Sequence, residues 1–412
     1  MSIKKILATI TIIITTTLSF SCFAWWSTGH EMIAQIAYDN LTPNTKIQVA
    51  ALLEKSLNWP NVAPSKLLPP PAKLSEKLNN MVLASTWPDA LKNYTWQGAN
   101  GAALQQAYSN LHFVDTPFGA KARENCALIN WHKRVKQTMQ DSNGDNVVSG
   151  IQSSIKTLES TESVAQKAIA LRYLIHLIGD VHMPFHSSDP VFTLKGSVSF
   201  KTYGANGITF DPSDKVFIYN YYHPDISLVS IDNLHELWDG AINAYRNIPD
   251  PYNSTYNTSA ENDWQKYGSS YKNYIEKEAL AIQKTLAANY RIQKLISSRP
   301  NPIFWATNSA KTACMLVNNK QQISFAPYKT QKNGQTIYGA TIKFKNGIAN
   351  YEERNSYIAK RQIYLAGMRL ANILNAIFAP NKDNNQRYTN YIKRITANNN
   401  IQPLDQLVDS QI

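Results

Sequence analysis

Ala168-Ile-Ala-Leu171-Arg-Tyr-Leu-Ile175-His176-Leu-Ile178-Gly-Asp180-Val-His182-Met-Pro184-Phe-His186 is the stretch from which the rest of the chain is read. Ala168, Leu171, Ile175 and Ile178 recur at helical spacing and make an apolar stripe. His176 and Asp180 stand four residues apart, so one helix face carries both. Pro184 ends the helix and turns the chain, which brings His186 back towards that end. A core helix that carries an imidazole and a carboxylate is thus the first expectation.

Working outward, the same periodicity recurs. Ile33, Ile36, Ala37 and Leu41 suit one face of an early helix that Thr42-Pro43 ends. Long helical patterns run over 263–289 and 352–378. Residues 64–71 are a proline-rich connector. Residues 190–230, rich in β-branched and aromatic side chains and broken by Gly196, Gly204 and Gly207, read as a loop or short hairpin. Residues 318–346 partly alternate polar and apolar and predict a second hairpin. No internal repeat is visible. The expected fold is all-α: a single multi-helix domain with loop and β-hairpin insertions.

The 412-residue chain is 43 % apolar and 17 % charged, which excludes wholesale disorder. A formal charge of +12 favours polyanionic partners without choosing among nucleic acid, anionic lipid and phosphorylated metabolites. Lys4 and Lys5 precede an apolar run from Ile6 to Phe23, with Cys22 and Ala24 at −3 and −1 of a cut after Ala24. This pattern predicts a signal peptide over 1–24 and a mature domain over 25–412. No second long apolar run follows, so no stable membrane insertion is expected after cleavage. The implied location is the periplasm or the medium. Cys126 and Cys314 remain; an oxidising compartment allows them to pair, but their spacing does not show whether they meet.

His235 and Asp239 repeat the four-residue spacing of His176 and Asp180. One such pair says little, since polar pairs one turn apart are common on solvated helices. Two pairs with His186 beside one of them point to a metal site, and imidazole with carboxylate suits Zn²⁺. Asp141-Ser-Asn143-Gly-Asp145 imitates a calcium loop but lacks its closing glutamate, and reads as a turn between helices. His182 is expected to pack at a helix end rather than to ligate.

Six segments together resemble the S1/P1 nucleases, within the wider superfamily of zinc-dependent phospholipases C. They are Trp25-Trp-Ser-Thr-Gly29-His30, Trp87-Pro-Asp89, Leu111-His112-Phe113-Val-Asp115, the His176–His186 block, Asn233-Leu-His235-Glu-Leu-Trp-Asp239 and Ala366-Gly367-Met-Arg369-Leu370-Ala371. The resemblance implies three zinc ions in a cleft. Asp89, His112, His176 and Asp180 are the implied ligands of one, and His186, His235 and Asp239 of another. The third is implied to take the α-amino and carbonyl groups of Trp25, with His30 and a bridging Asp180. A free α-amine at Trp25 requires the cut after Ala24, so two separate readings agree.

The implied reaction is attack of a zinc-bound hydroxide on phosphorus, cleaving single-stranded DNA and RNA to 5′-phosphorylated products. A 3′-nucleotidase activity on nucleotides is implied as well. Asp89 and Lys92 are the implied catalytic residues, with Lys92 neutralising transition-state charge. Phe113 would stack on a base and Asp115 would read its edge. Family members carry a Gly-Gly-Asn stretch soon after the last histidine of the central block. The nearest match here is Gly204-Ala205-Asn206-Gly207, which makes Asn206 the expected third substrate contact. The departure leaves open a phospholipase C acting on lipid head groups, although Asp239 and the short Trp25–His30 gap resemble the nuclease branch.

Overall fold

A computed structural model describes residues 25–54, 80–92, 108–120, 124–194, 198–212, 214, 216–222, 225–241, 260–298, 300–380, 386–396 and 402–404. The expected signal peptide over 1–24 and the connector over 64–71 lie outside the described residues. Helices dominate. They are α1 (Ser27–Asp39), α2 (Pro43–Leu53), α3 (Asn80–Ala84), α4 (Trp87–Lys92), α5 (Trp131–Asp141), α6 (Val147–Glu159) and α7 (Val164–Asp180), followed by a 3₁₀ turn at Pro184–Ser187. Beyond that turn come α8 (Leu234–Asp239), α9 (Ala260–Leu286), α10 (Tyr290–Ser298), α11 (Pro302–Val317), α12 (Ile348–Ile377) and α13 (Gln386–Ile395).

Helix α7 is the axis of the fold. A Ser163–Gln166 capping box starts it: the Ser163 hydroxyl accepts from the Gln166 amide while the Gln166 side chain accepts from the Ser163 N–H. From Leu171 to Asp180 every residue is buried, so the helix is surrounded rather than amphipathic. Helices α1, α2, α6 and α12 pack around it. Helix α1 lies between α7, α9 and α12. Proline and a polar cap set the other starts. Thr42 caps α2 with Pro43 in its first turn, and Asn301 caps α11 with Pro302 behind it. The Asp141–Asp145 segment is the turn expected, joining α5 to α6 through left-handed Asn143 and Gly144.

The region 190–230 corrects the sequence expectation in part. It holds strands β2 (Asp189–Thr193), β3 (Ser199–Lys201) and β4 (Ile208–Phe210), besides a hairpin of β5 (Val216–Tyr222) with β6 (Asp225–Ile231). Strand β1 (Pro117–Gly119) pairs in parallel with β2, which pairs antiparallel with β3. The other expected hairpin is present as β7 (Ile323–Lys332) and β8 (Gln335–Phe344), joined through Asn333 and Gly334 with φ of 51° and 75°. Two successive positive φ values are the two-residue turn that matches strand twist. Strand β4 pairs in parallel with β8. β2 and β4 are short and take partners distant in sequence, so local alternation does not reveal them.

Cys126 and Cys314 form a disulfide across 188 residues, tying the loop after β1 to buried α11. Such a link restricts the unfolded chain. Replacing Cys314 by Ser is expected to lower stability by about 2–4 kcal/mol. Thermal unfolding of the variant checks this; an unchanged melting temperature would show that the pair does not form in the protein.

Candidate metal centre

The end of α7 gathers side chains from distant parts of the chain. His176 and Asp180 come from α7, His30 from α1, Asp89 from α4, and His112 from the segment before β1. All are buried, at 4 % exposure or less. Asp180 spans the group. Its Oδ1 lies 3.2 Å from His30 Nε2, while Oδ2 lies 2.9 Å from His112 Nδ1 and 3.3 Å from His176 Nε2. Asp89 Oδ1 stands 3.4 Å from His176 Nε2 and 3.7 Å from His112 Nδ1. The ligand atoms form two groups within 4.8 Å, His30–His176–Asp180 and Asp89–His112–His176, which share His176.

A third group, His186–His235–Asp239, forms beside them. His186 sits in the 3₁₀ turn that Pro184 opens, and His235 and Asp239 lie one turn apart on α8. Asn233 caps α8 by accepting from the Glu236 amide. Two hydrogen bonds to backbone carbonyls join this group to the first. Trp26 N–H donates to the Asp239 carbonyl at 2.8 Å, and His186 Nδ1 donates to the His112 carbonyl at 2.8 Å.

The ring nitrogens decide what these groups fit. A carbonyl only accepts, so His186 Nδ1, His235 Nδ1 (2.5 Å from the Gly204 carbonyl) and His176 Nδ1 (2.6 Å from the Ser85 carbonyl) all carry hydrogen. In neutral imidazoles the Nε2 atoms then present lone pairs. His186 Nε2 and His235 Nε2 face one another at 3.2 Å, with Asp239 Oδ2 3.2 Å from the latter. His176 Nε2 faces His112 Nδ1 at 3.0 Å among carboxylate oxygens. Converging lone pairs and anions repel unless a cation sits between them. Carbonyls holding the opposite ring nitrogen are the usual outer support of a metal-binding imidazole.

The carboxylates favour positive charge at this point. Burial works against charge on His176, but the Asp180 and Asp89 carboxylates overcome it and raise the imidazole to about 10. Burial works to raise Asp180, yet His176, His112 and His30 hold it well below the ordinary carboxylate range. Both Asp180 oxygens and both His30 nitrogens are buried without a well-formed hydrogen bond, an arrangement that a cation accounts for. The donor set is nitrogen and oxygen without thiolate, in line with zinc among the divalent ions.

Trp25 is fully buried and its indole donates to the Gly179 carbonyl at 3.1 Å, next to Asp180. Gly29 and Gly179 allow the close approach: a Cβ on Gly29 would lie 2.7 Å from Trp25 Cβ, and one on Gly179 2.7 Å from His30 Nδ1. Lys92 is the last residue of α4, with its side chain outside the described residues. Phe113 and Asp115 are half-buried just past His112. Asn206 is nearly buried, and its side-chain amide donates to the Tyr203 carbonyl at 2.6 Å. His182 is the packing residue expected: its Nδ1 donates to the Ile178 carbonyl and its Nε2 lies 2.5 Å from buried Arg369.

Asp189 is a buried carboxylate beside Asp115 that the sequence reading missed. Burial and the neighbouring Asp189 push Asp115 up to about 8, while His235 and Lys201 oppose them. Burial raises Asp189 to about 6, against bonds from the Thr202 amide and the charge of Lys201. The only sequence signal was its place three residues after His186. The loop that supports His235 was also unforeseen. Tyr203, Gly204 and Ala205 are successively left-handed, with φ of 52°, 64° and 74°. The two non-glycine residues each store about 1–3 kcal/mol. The Gly207 amide bonded to the Thr202 carbonyl at 2.9 Å helps hold the loop closed.

A family model described as S1/P1 Nuclease matches residues 25–379. Endonuclease 3 of Arabidopsis thaliana is 23 % identical over 384 residues, covering 90 % of this chain and 94 % of that protein. Endonuclease 5 of Arabidopsis thaliana is 22 % identical over 270 residues, covering 64 % of this chain and 70 % of that protein.

Gly179→Ala is expected to displace His30 and lower the metal content of the purified protein while helix content stays constant. Elemental analysis beside circular dichroism measures both. A full metal complement in the variant would remove His30 from the centre.

Proposed function

The chain belongs to the S1/P1 nuclease family, and from that we propose an exported, zinc-dependent phosphodiesterase that cleaves single-stranded DNA and RNA. Its products would carry 5′-phosphates, and 3′-nucleotides would be dephosphorylated at the same centre. The supporting observation is the confluence of three ligand groups around Asp180 and Asp239, with lone pairs facing inward.

In this reading Asp89, His112, His176 and Asp180 would hold one zinc ion, and His186, His235 and Asp239 a second. A third would be held by His30 and the amino and carbonyl groups of Trp25 with help from Asp180. Bound zinc would supply Lewis-acid charge and acidify a water molecule. The chain's own residues do the rest. Buried carbonyls at Ser85, His112 and Gly204 fix the imidazole orientations. Asp89 would orient the attacking water, and Lys92 would offset charge that develops on phosphate oxygens. Phe113 supplies an aromatic face for a base, Asp115 its polar partner, and Asn206 a neighbouring amide. Stacking on a free base face favours single strands over duplex.

Export rests on the leader-like sequence of residues 1–24 and on the family match that opens at Trp25. The Cys126–Cys314 disulfide suits an oxidising compartment. Among the described residues no helix is long and apolar enough to cross a membrane.

The test uses purified protein whose first residue is Trp25, offered single-stranded DNA, RNA, a 3′-nucleotide and phosphatidylcholine, with zinc and with chelator. Zinc-dependent release of 5′-phosphorylated fragments is expected. Phosphocholine release without nucleic-acid cleavage would overturn the substrate. In the same assay Asp89→Ala is expected to lower turnover more than about 100-fold, beyond what losing an outer support of a metal ligand does. An active, fully metallated variant would contradict the role of Asp89.

A further inference from the structure

The β7–β8 hairpin stands outside the metal centre yet is built onto its supports. Between Asn318 and Gly347 the chain carries lysines 320, 329, 332, 343 and 345 and no aspartate or glutamate. Among the described residues only the base of the hairpin has a third strand, where β4 pairs with Ala340–Ile342. Tyr328–Lys332 and Gln335–Gly339 run on past that sheet as a two-stranded ribbon of about 17 Å, at ~3.4 Å per residue. Lys329, Gln331, Lys332, Gln335 and Thr336 on it are exposed. Among the described residues no carboxylate forms an ion pair with Lys329 or Lys332.

One face of the ribbon leads back to the site. Lys329 pairs across the strands with Tyr338, and its ammonium lies 6.0 Å from the centre of that ring. Tyr338 stacks on Phe200 of β3 at 5.7 Å, and Phe200 stacks on Phe192 of β2 at 5.9 Å. Phe192 also meets Phe325 at the hairpin base. Beside Phe200, exposed Lys201 acts electrostatically on Asp115 and Asp189. Below, the Ala340 amide donates to the Gly207 carbonyl at 2.9 Å, in the loop whose Gly204 carbonyl orients His235. Basic groups backed by aromatic rings therefore run from the Asp115–Asp189 pair to the ribbon.

We propose that the β7–β8 hairpin is a second binding surface for the phosphate backbone of an extended single-stranded polynucleotide. It would hold strand that lies beyond the nucleotides in the metal cleft. The inference rests on the nucleic-acid reading of that cleft. Charge complementarity selects the partner: a run of lysines without acids, amide side chains and an aromatic ring suit a sugar–phosphate chain without sequence preference. Lysines on an exposed strand also discourage edge-to-edge pairing of sheets, and that role needs no ligand. The two roles differ in what a polyanion does to the protein.

The experiment compares the zinc-loaded wild type with Lys329→Gln/Lys332→Gln and the charge-keeping Lys329→Arg/Lys332→Arg pair. Fluorescence anisotropy measures binding of a cleavage-resistant phosphorothioate dT 30-mer across a salt series. Turnover is measured on an ordinary 30-mer and on a dinucleotide, and binding to anionic phospholipid vesicles is measured in parallel. The Gln pair is expected to weaken 30-mer binding roughly tenfold at low salt and to flatten the salt slope by about 1.4, ~0.7 for each lost single-strand phosphate contact. KM on the 30-mer should rise, dinucleotide turnover should stay constant, and the Arg pair should restore binding. Unchanged 30-mer affinity and slope in the Gln pair would overturn the proposal. So would a loss confined to vesicles, which would make the hairpin lipid-facing. A wild type that binds the 30-mer through these lysines but cleaves no nucleic acid would overturn the proposed function and leave the binding surface standing.

Discussion

Asp180 is the carboxylate on which the arrangement turns. It is fully buried at the end of α7, with His30 on one oxygen and His112 and His176 on the other. Three imidazoles and two carboxylates this close are tolerable only when positive charge lies among them. Much of the fold serves this confluence. α7 is enclosed by other helices, and Gly179 lets α1 approach near enough for His30 to arrive. The Trp25 indole fastens to the carbonyl just before Asp180. Backbone groups of His112 and Asp239 then tie the two halves of the centre together.

The helical frame and the two His–Asp pairs were legible because both depend on local spacing, whereas His30, Asp89 and His112 were implied only by the family resemblance. The stripe through Ala168, Leu171, Ile175 and Ile178 lies within α7, which runs from Val164 to Asp180. The two four-residue His–Asp spacings place each pair on one helix face, and the structure has both pairs on α7 and α8. Arrangements made by non-local pairing were not legible. β2 takes its neighbour from β1, and β4 takes its neighbour from a hairpin more than a hundred residues later. Asp189 gained its meaning only once β2 lay against the strand that follows Asp115. The support from the Gly204 carbonyl was hidden because it comes from main chain, held by an unusual run of left-handed residues. The Cys126–Cys314 pairing belongs to the same class, since separation in sequence says nothing about separation in space.

The segment from Asp189 to Phe210 joins the surroundings of the His/Asp groups to the long hairpin. It runs from buried Asp189, through exposed Lys201, to the strained loop that orients His235, and ends in the strand that anchors the long hairpin. The close pair Asp115 and Asp189 makes the local polarity sensitive to neighbouring cations, Lys201 among them.

The central claim is that these side chains form one three-ion centre completed by the terminus at Trp25. Anomalous diffraction at the zinc absorption edge, from crystals of the protein beginning at Trp25, tests it most directly. The account predicts three peaks. Two should lie on either side of Asp180, one of them also against His30 and the terminal amine. The third should lie among His186, His235 and Asp239. A pattern with no peak beside His30, or with zinc only at the His186 group, would contradict it.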